Sequence, residues 1–444
     1  MRLLTKCVAF ALFIATAPAS AQEPPALTLI TNARIFDGVS EPLSPPSSVL
    51  IEDNKIKQID ENIDAAAGAT VIDADGRTLM PGLIDAHWHV NFSNVTNPEL
   101  FGSDLAWITL KSATGAEATL LRGFTTVRDV GGNPFSIKKA IDAGLYKGPR
   151  IFPSGPPIGQ TSGHFDFRPY TAAPSSGAAD LSYLERQGVV MRADGVSQAL
   201  LRARENLRMG ASQIKIATGG GVSSIYDPLD VTEFTPAEVE AIVAAAENWG
   251  TYVASHTFND RATQMAINAG VKSIEHGFLL SDETFKMMAD KGVWLSIQPL
   301  LNDEDAFTFP DPVSTAKWIE VTNGTDTAYK AAKKFGVKTA FGTDLLGDPS
   351  LTKRQGAFLA KLKRWYTPYE ALKMATHDNA ELLALSGPRN PYQEGALGVI
   401  KEGAYADLIL VDGNPLENLD LVADPDKNFA VIMKDGKIYK NTLD

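Results

Sequence analysis

Pro81-Gly82-Leu83-Ile84-Asp85-Ala86-His87-Trp88-His89 is an apolar run entered from a Pro-Gly turn and closed by two histidines. Read as a buried β-strand, it puts His87 and His89 on the same face, because strand side chains alternate with period two. Two imidazoles on one face converge, as ligands of a cation do. Alone, the His-x-His pair carries little weight. The chain has only 6 histidines, however, and two more of them close apolar runs. His256 ends Tyr252-Val253-Ala254-Ser255-His256, and His276 ends Ser273-Ile274-Glu275-His276. Asp344 closes Phe341-Gly342-Thr343-Asp344, and Lys215 sits in Gln213-Ile214-Lys215-Ile216. Six candidate metal ligands thus lie at predicted strand ends, and one of them is a lysine.

The strands that carry them form a series. Buried-strand candidates are residues 82–90, 125–130, 150–154, 213–218, 252–256, 273–276, 293–298 and 337–344, with helical patterns between them. That alternation predicts an α/β chain, a (β/α)8 TIM-like barrel with its active site at the C-terminal ends of the strands. Thr235-Pro236-Ala237-Glu238 and Thr367-Pro368-Tyr369-Glu370 are capping boxes that open two helices, so His256 falls on the strand after a helix. Both ends of the chain read as β. The runs 27–36, 48–59 and 70–79 carry turn signals at Asp37-Gly38, Asp53-Asn54 and Asp75-Gly76. Residues 406–411 and 429–433 are strands, and Asp435-Gly436 forms a tight hairpin. Neither end has enough strands for a core, so the two are expected to pair into one small β-sandwich domain. The expected division is a signal peptide over 1–21, β-sandwich over 22–81, barrel over 82–393 and β-sandwich again over 394–444.

Composition narrows the function. Of 444 residues, 44% are hydrophobic and 21% charged, as in ordinary globular chains, and the net charge is −12. An acidic chain without a Lys/Arg-rich run does not suit nucleic acid. Arg2 and Lys6 flank the apolar Cys7–Ile14, and Ala19-Ser20-Ala21 supplies a small-x-small cleavage pattern before Gln22. The expectation is an exported protein, periplasmic or secreted, with no stable membrane span after cleavage. Cys7 is the only cysteine. A chain cleaved before Gln22 has no disulfide, no Cys-ligated zinc and no Cys nucleophile.

Lys215 does not suit a cation site as an ammonium, and a charged lysine on an apolar strand is costly. A neutral amine that takes up carbon dioxide gives a carbamate, an anionic oxygen ligand. An ammonium reaching the barrel mouth is the other reading. At this point the chain resembles the metal-dependent amidohydrolase superfamily, in its binuclear branch with a carboxylated lysine. The resemblance runs from Asn32-Ala33-Arg34-Ile35-Phe36-Asp37-Gly38 through residues 81–89, Gly123-Phe124-Thr125-Thr126-Val127-Arg128-Asp129, Ile274-Glu275-His276-Gly277 and Gly342-Thr343-Asp344 to Gly403-Ala404-Tyr405-Ala406-Asp407-Leu408. It implies that His87, His89 and Asp344 hold one divalent metal, His256 and His276 a second, and a carbamate on Lys215 bridges them. Zinc fits such N/O ligands. Two ions roughly 3.5–4 Å apart generate a bridging hydroxide that attacks the scissile carbonyl. Asp344 is expected both to ligate and to move the proton. The resemblance also implies a homo-oligomer.

Within that superfamily the chain is similar to Xaa-Pro dipeptidases, Xaa-Arg/Lys carboxypeptidases and amidohydrolases of ochratoxin-type N-acyl amino acids. The segments carrying this are residues 159–169 and 217–224. The implied substrate is a small molecule or dipeptide with an amide next to a C-terminal amino acid. Its α-carboxylate needs convergent donors. His164, Arg168 and Tyr226 are the candidates, His164 the best of them because a loop histidine beside Gly163 can point into the cleft; for Arg168 and Tyr226 a local loop hydrogen bond is at least as good a reading. Asp129 is a candidate support for the metal shell, or else a partner of Arg128 or a loop amide. His377 is expected to be structural, and Asn302-Asp303-Glu304-Asp305 solvated. Two other functions stand beside this one: an esterase or lactonase on the same site, and a non-catalytic, metal-stabilised envelope binding protein. Rates on a dipeptide, an aryl ester and a lactone separate the first; an Asp344→Asn variant with unchanged turnover would mark the second.

Overall fold

The computed structural model describes residues 25–177, 180–224 and 226–443. The expected signal peptide, with Cys7, lies outside the described residues. Among those described, no helix is long and apolar enough to cross a membrane.

The eight barrel strands are Leu83–Trp88, Phe124–Asp129, Arg150–Pro153, Ile214–Ala217, Val253–Thr257, Ser273–His276, Trp294–Ile297 and Thr339–Phe341. Strands one to three pair in parallel as one arc, and strands four to eight as another. Two seams close the ring. Ser212 N donates to Pro153 O at 2.7 Å between strands three and four, and Asp344 N donates to His87 O at 2.9 Å between strands eight and one. Nearly every strand residue is buried, as a parallel sheet covered by helices requires. The sequence pattern missed one feature. Ile158–Gly159, in the loop after strand three, adds a short parallel strand beside strand four, with Met191–Arg192 outside it. That loop is buried, and strand pairing satisfies its backbone.

The helix Pro236–Glu247 begins at the expected capping box, with Thr235 N donating to Glu238 Oε2 at 2.7 Å. The second box places Thr367 Oγ1 3.2 Å from Glu370 N. The long helix Pro312–Phe335 follows strand seven.

Both chain ends build one eight-stranded sheet. Thr78–Pro81, from the N-terminal part, pairs antiparallel with Leu408–Val411 from the C-terminal part. The runs 48–59 and 70–79 are each two strands, broken where Asp53 and Asp75 take φ of 52° and 49°. Their Asp-Asn and Asp-Gly pairs make turns inside the runs. The sheet curls until its edge strand Lys55–Asp60 meets the segment that leads into Leu408–Val411. Ile56 N donates to Ala404 O at 2.9 Å, and Gly403 N to Ile56 O at 2.8 Å. Ile30, Val49, Ile72, Leu408, Val431 and Met433 fill the core between. Arg150, at the start of strand three, pairs with Asp407 at 2.9 Å and docks the barrel on this sheet.

Candidate metal centre and active site

The ligand candidates gather at the C-terminal ends of the strands. Ring and carboxylate donor atoms of His87, His276 and Asp344 lie within 4.8 Å of one another. His89 Nε2 is 3.0 Å from Asp344 Oδ1, and His87 Nε2 is 3.4 Å from the same oxygen. The His256 ring stands edge-on to His276 with centroids 4.5 Å apart. Register explains this: Ala217 pairs with His256, and Thr257 with His276.

Each buried imidazole has one nitrogen committed. Glu275 Oε2 lies 2.8 Å from His87 Nδ1, Gln298 Oε1 lies 2.8 Å from His276 Nδ1, and Gly220 O lies 3.2 Å from His256 Nε2. The second nitrogen of each ring stays available. Burial lowers His87 to about 4 and His276 to about 3, and holds His256 well below the usual imidazole range. All three are therefore neutral near pH 7, the state that binds cations. For Asp344 burial works upward, but His87 and the hydrogen bond with His89 outweigh it and hold the carboxyl well below its usual range.

Lys215 is 2% exposed. Burial lowers its amine to about 8, with Glu275 and Asp344 pulling the other way. Among the described residues its Nζ has no hydrogen bond or ion pair. A buried amine left without a partner fits a group whose ligand role needs chemistry beyond the protein's own side chains. With neutral imidazoles and an ionised carboxylate around it, the donor set fits divalent metal.

A supporting layer was not legible in the sequence. Glu275, fully buried, accepts from Arg128 Nη2 at 2.7 and 2.8 Å and from Ser273 Oγ at 2.6 Å, while also facing His87. Burial pushes Glu275 up, but Arg128 together with His87 and Lys215 outweighs it and holds the carboxyl well below its usual range. Glu275 and His276 are sequence neighbours, yet both face His87, because His276 takes φ 78° and breaks the strand alternation. The visible signal was an acidic residue inside a buried strand. Asp85 is a second hub. It accepts from His87 N, Thr343 N, Thr343 Oγ1 and Gln355 Nε2 at 2.6–3.1 Å, and so ties strand one to the Asp344 turn. Asp129 does not pair with Arg128, because neighbouring strand residues face opposite sides. It accepts from the Val90 and Gly131 amides at 2.7 and 3.3 Å.

The three substrate-site candidates are placed very differently. His164 joins the cluster: its ring stacks on His256 at 3.9 Å and 13°. Arg168 is gripped by Asp166 through bonds of 2.7 and 2.6 Å. It lines a hollow with Thr161, Asp180 and Arg192 that includes none of the ligand candidates. Tyr226 is 41% exposed, and no bond links it to the cluster among the described residues. The 302–305 run is not simply solvated. Asp305 is only 3% exposed, held by Arg354 at 2.7 Å and Lys361 at 3.0 Å. His377 contacts Asp378 at 2.8 Å in a π-helical turn, away from the barrel mouth.

A family model described as the amidohydrolase family matches residues 78–440. Ochratoxinase from Aspergillus niger is 30% identical over 380 residues, covering 82% of this chain and 75% of that protein. The crystal structure of a prolidase complexed with N-methylphosphonate-L-proline superposes with a TM-score of 0.86 at 33% identity, covering 94% of this chain and 100% of that one. A Xaa-Pro dipeptidase with bound methionine in its active site gives 0.80 at 29% identity, with the same coverage.

Proposed function

The chain belongs to the amidohydrolase family, and from that premise we propose that its barrel mouth cuts an amide bond next to a C-terminal amino acid, in a dipeptide or an N-acyl amino acid. That it is a hydrolase acting on amide bonds follows from the family and its relatives. The observation that carries the reading is the convergence of His87, His276 and Asp344 beside an unpaired, buried Lys215. The finer substrate class is supported by relatives whose ligands or names are a proline phosphonate, methionine and ochratoxin.

His87, His89 and Asp344 would hold one divalent ion, and His256 and His276 a second. Lys215, as its carbamate, would serve both. Such ions supply Lewis acidity that polarises a carbonyl and lowers the pKa of water. The protein's own groups do the rest. Glu275 and Gln298 keep His87 and His276 oriented with one lone pair turned to the centre. Asp344, held ionised, accepts a proton from the attacking water at its carboxylate and passes it to the departing nitrogen. His164, stacked on His256, faces the space where the acyl oxygen or carboxylate of a substrate would lie.

The test combines metal analysis with a substrate screen. Purified protein should carry about two divalent ions per chain. Xaa-Pro, Xaa-Arg and Xaa-Phe dipeptides and N-acyl amino acids should be cut with free C-termini and much more slowly when amidated. A fully active metal-free preparation, or equal rates on free and amidated substrates, would defeat the proposal.

A further inference from the structure

Beside the histidine cluster, outside the six ligand candidates, three buried ionisable groups meet around one loop. Lys317, on the helix Pro312–Phe335, donates through Nζ to the carbonyls of Gly221, Ser224 and Asp227 at 2.9, 2.7 and 2.7 Å. These bonds use all the hydrogens of an ammonium. Asp227 Oδ2 accepts from Gly221 N at 2.6 Å and lies 3.4 Å from His164 Nδ1. Glu233 Oε1 accepts from the His164 amide at 2.9 Å. Ser224 Oγ is 2.7 Å from His164 Nδ1. All of these side chains are buried, and Asp227 Oδ1 and Glu233 Oε2 have no hydrogen-bond partner. The fit is close. A Cβ on Gly221 would lie 2.1 Å from the His164 ring, and one on Gly163 would lie 2.2 Å from Glu233 Oε2.

Charge balance fixes the protonation. Lys317 offsets one buried negative charge, and a second carboxylate would stand uncompensated at high cost. Burial first, and Asp227 next, push Glu233 up to about 9. Glu233 is thus the group that carries a proton.

We propose that Lys317, Asp227 and Glu233 are positioning residues, a buried clamp that fixes His164 over His256 by holding its ring through Ser224 and Asp227 and its backbone through Glu233. The inference rests on the reading that substrate binds at this mouth facing His164. It assigns a role to a lysine far away in sequence, on a helix that carries no ligand candidate.

The test uses metal-loaded enzyme and the variants Lys317→Met, Lys317→Arg, Asp227→Asn and Glu233→Gln. Two readouts are taken beside metal content: kcat/KM, and the imidazole NMR resonance of His164, assigned by its loss in His164→Gln. Lys317→Met and Asp227→Asn should move that resonance and lower kcat/KM about tenfold or more, with wild-type metal content, and Lys317→Arg should recover part of the loss. Glu233→Gln copies the protonated acid, keeps an acceptor for the His164 amide, and should leave the His164 resonance at its wild-type position. If Lys317→Met does not fold, Asp227→Asn decides by the same resonance. An unmoved His164 resonance in Lys317→Met and Asp227→Asn overturns the clamp, and so does a Glu233→Gln variant whose resonance moves as far as that of Asp227→Asn. If the wild type cuts none of the amides, the functional reading fails separately, and the resonance still decides the clamp.

Discussion

Replacing Glu275 with Gln changes one atom of a fully buried side chain and tests the supporting layer. A carboxylate only accepts hydrogen bonds. Facing Glu275 at 2.8 Å, His87 Nδ1 must therefore carry the hydrogen, leaving the Nε2 lone pair turned towards Asp344. Gln brings an NH2 group that has to face either Arg128 or His87. Facing Arg128, it sets donor against donor where bonds of 2.7 and 2.8 Å now hold the guanidinium. Facing His87, it forces the other tautomer and removes the Nε2 lone pair. Losing such an outer partner of a ligating histidine costs about 10–100-fold in metal affinity or activity, or about 1.4–2.8 kcal/mol. Breaking a buried ion pair costs about 3–5 kcal/mol, and Gln, which keeps some hydrogen bonds, belongs near 3. At roughly 2 °C per kcal/mol for a large domain, Tm should fall by about 6 °C. The assay is metal content after dialysis, kcat/KM on the best amide substrate, and thermal unfolding. A variant with lowered Tm but wild-type metal content and kcat/KM would show that Glu275 serves only the fold.

Asp344→Asn should lower kcat by about 10²–10⁴-fold while most metal is retained, measured by steady-state kinetics beside metal analysis. Lys215→Ala should lose bound metal. Because burial lowers the Lys215 amine to about 8, stripped wild-type protein should regain activity with metal faster at pH 8 than at pH 6.5, and faster with added bicarbonate. Glu233 should also show in stability. Its folded pKa, about 9, is raised above the usual 4.5, so between those values the folded state holds a proton that the unfolded state has released. Wild type therefore loses stability as pH rises through this window, by at most about 1.4 kcal/mol per unit. Gln does not titrate, so the Tm of Glu233→Gln minus that of wild type should grow from pH 5 to pH 9; a flat difference would refute a protonated Glu233.

The ligand candidates were legible because the chain has only 6 histidines, and because buried parallel strands are near-continuous apolar runs. His87, His256, His276 and Asp344 could thus be placed on one rim before any coordinates. What could not be read was pairing between distant segments. Nothing local to Arg128 says that it crosses the barrel to Glu275, and its neighbour Asp129 looks the more natural partner until alternation separates them. The same holds for Lys317, whose three acceptors are backbone carbonyls and leave no side-chain pattern. Loop candidates fared according to their competitors. His164 reached the cluster because Gly221 leaves room for its ring, whereas Asp166, two residues before Arg168, captures that guanidinium locally.

His276 and Asp344 have φ of 78° and 54°, a region that costs a non-glycine residue about 1–3 kcal/mol. Both sit where a strand ends and a side chain must turn into the barrel mouth. The strain at Asp344 is held by bonds that lead back to the first strand: its own amide donates to His87 O at 2.9 Å, and Thr343 is bound twice by Asp85. Asp85 in turn accepts from His87 N at 3.0 Å. The first and eighth strands are therefore fixed to each other through the same residues that present His87 and Asp344 to the centre. Asp85 lies in the run 81–89, two residues before the first histidine, so the stretch that announces the site also carries the carboxyl that closes the barrel around it.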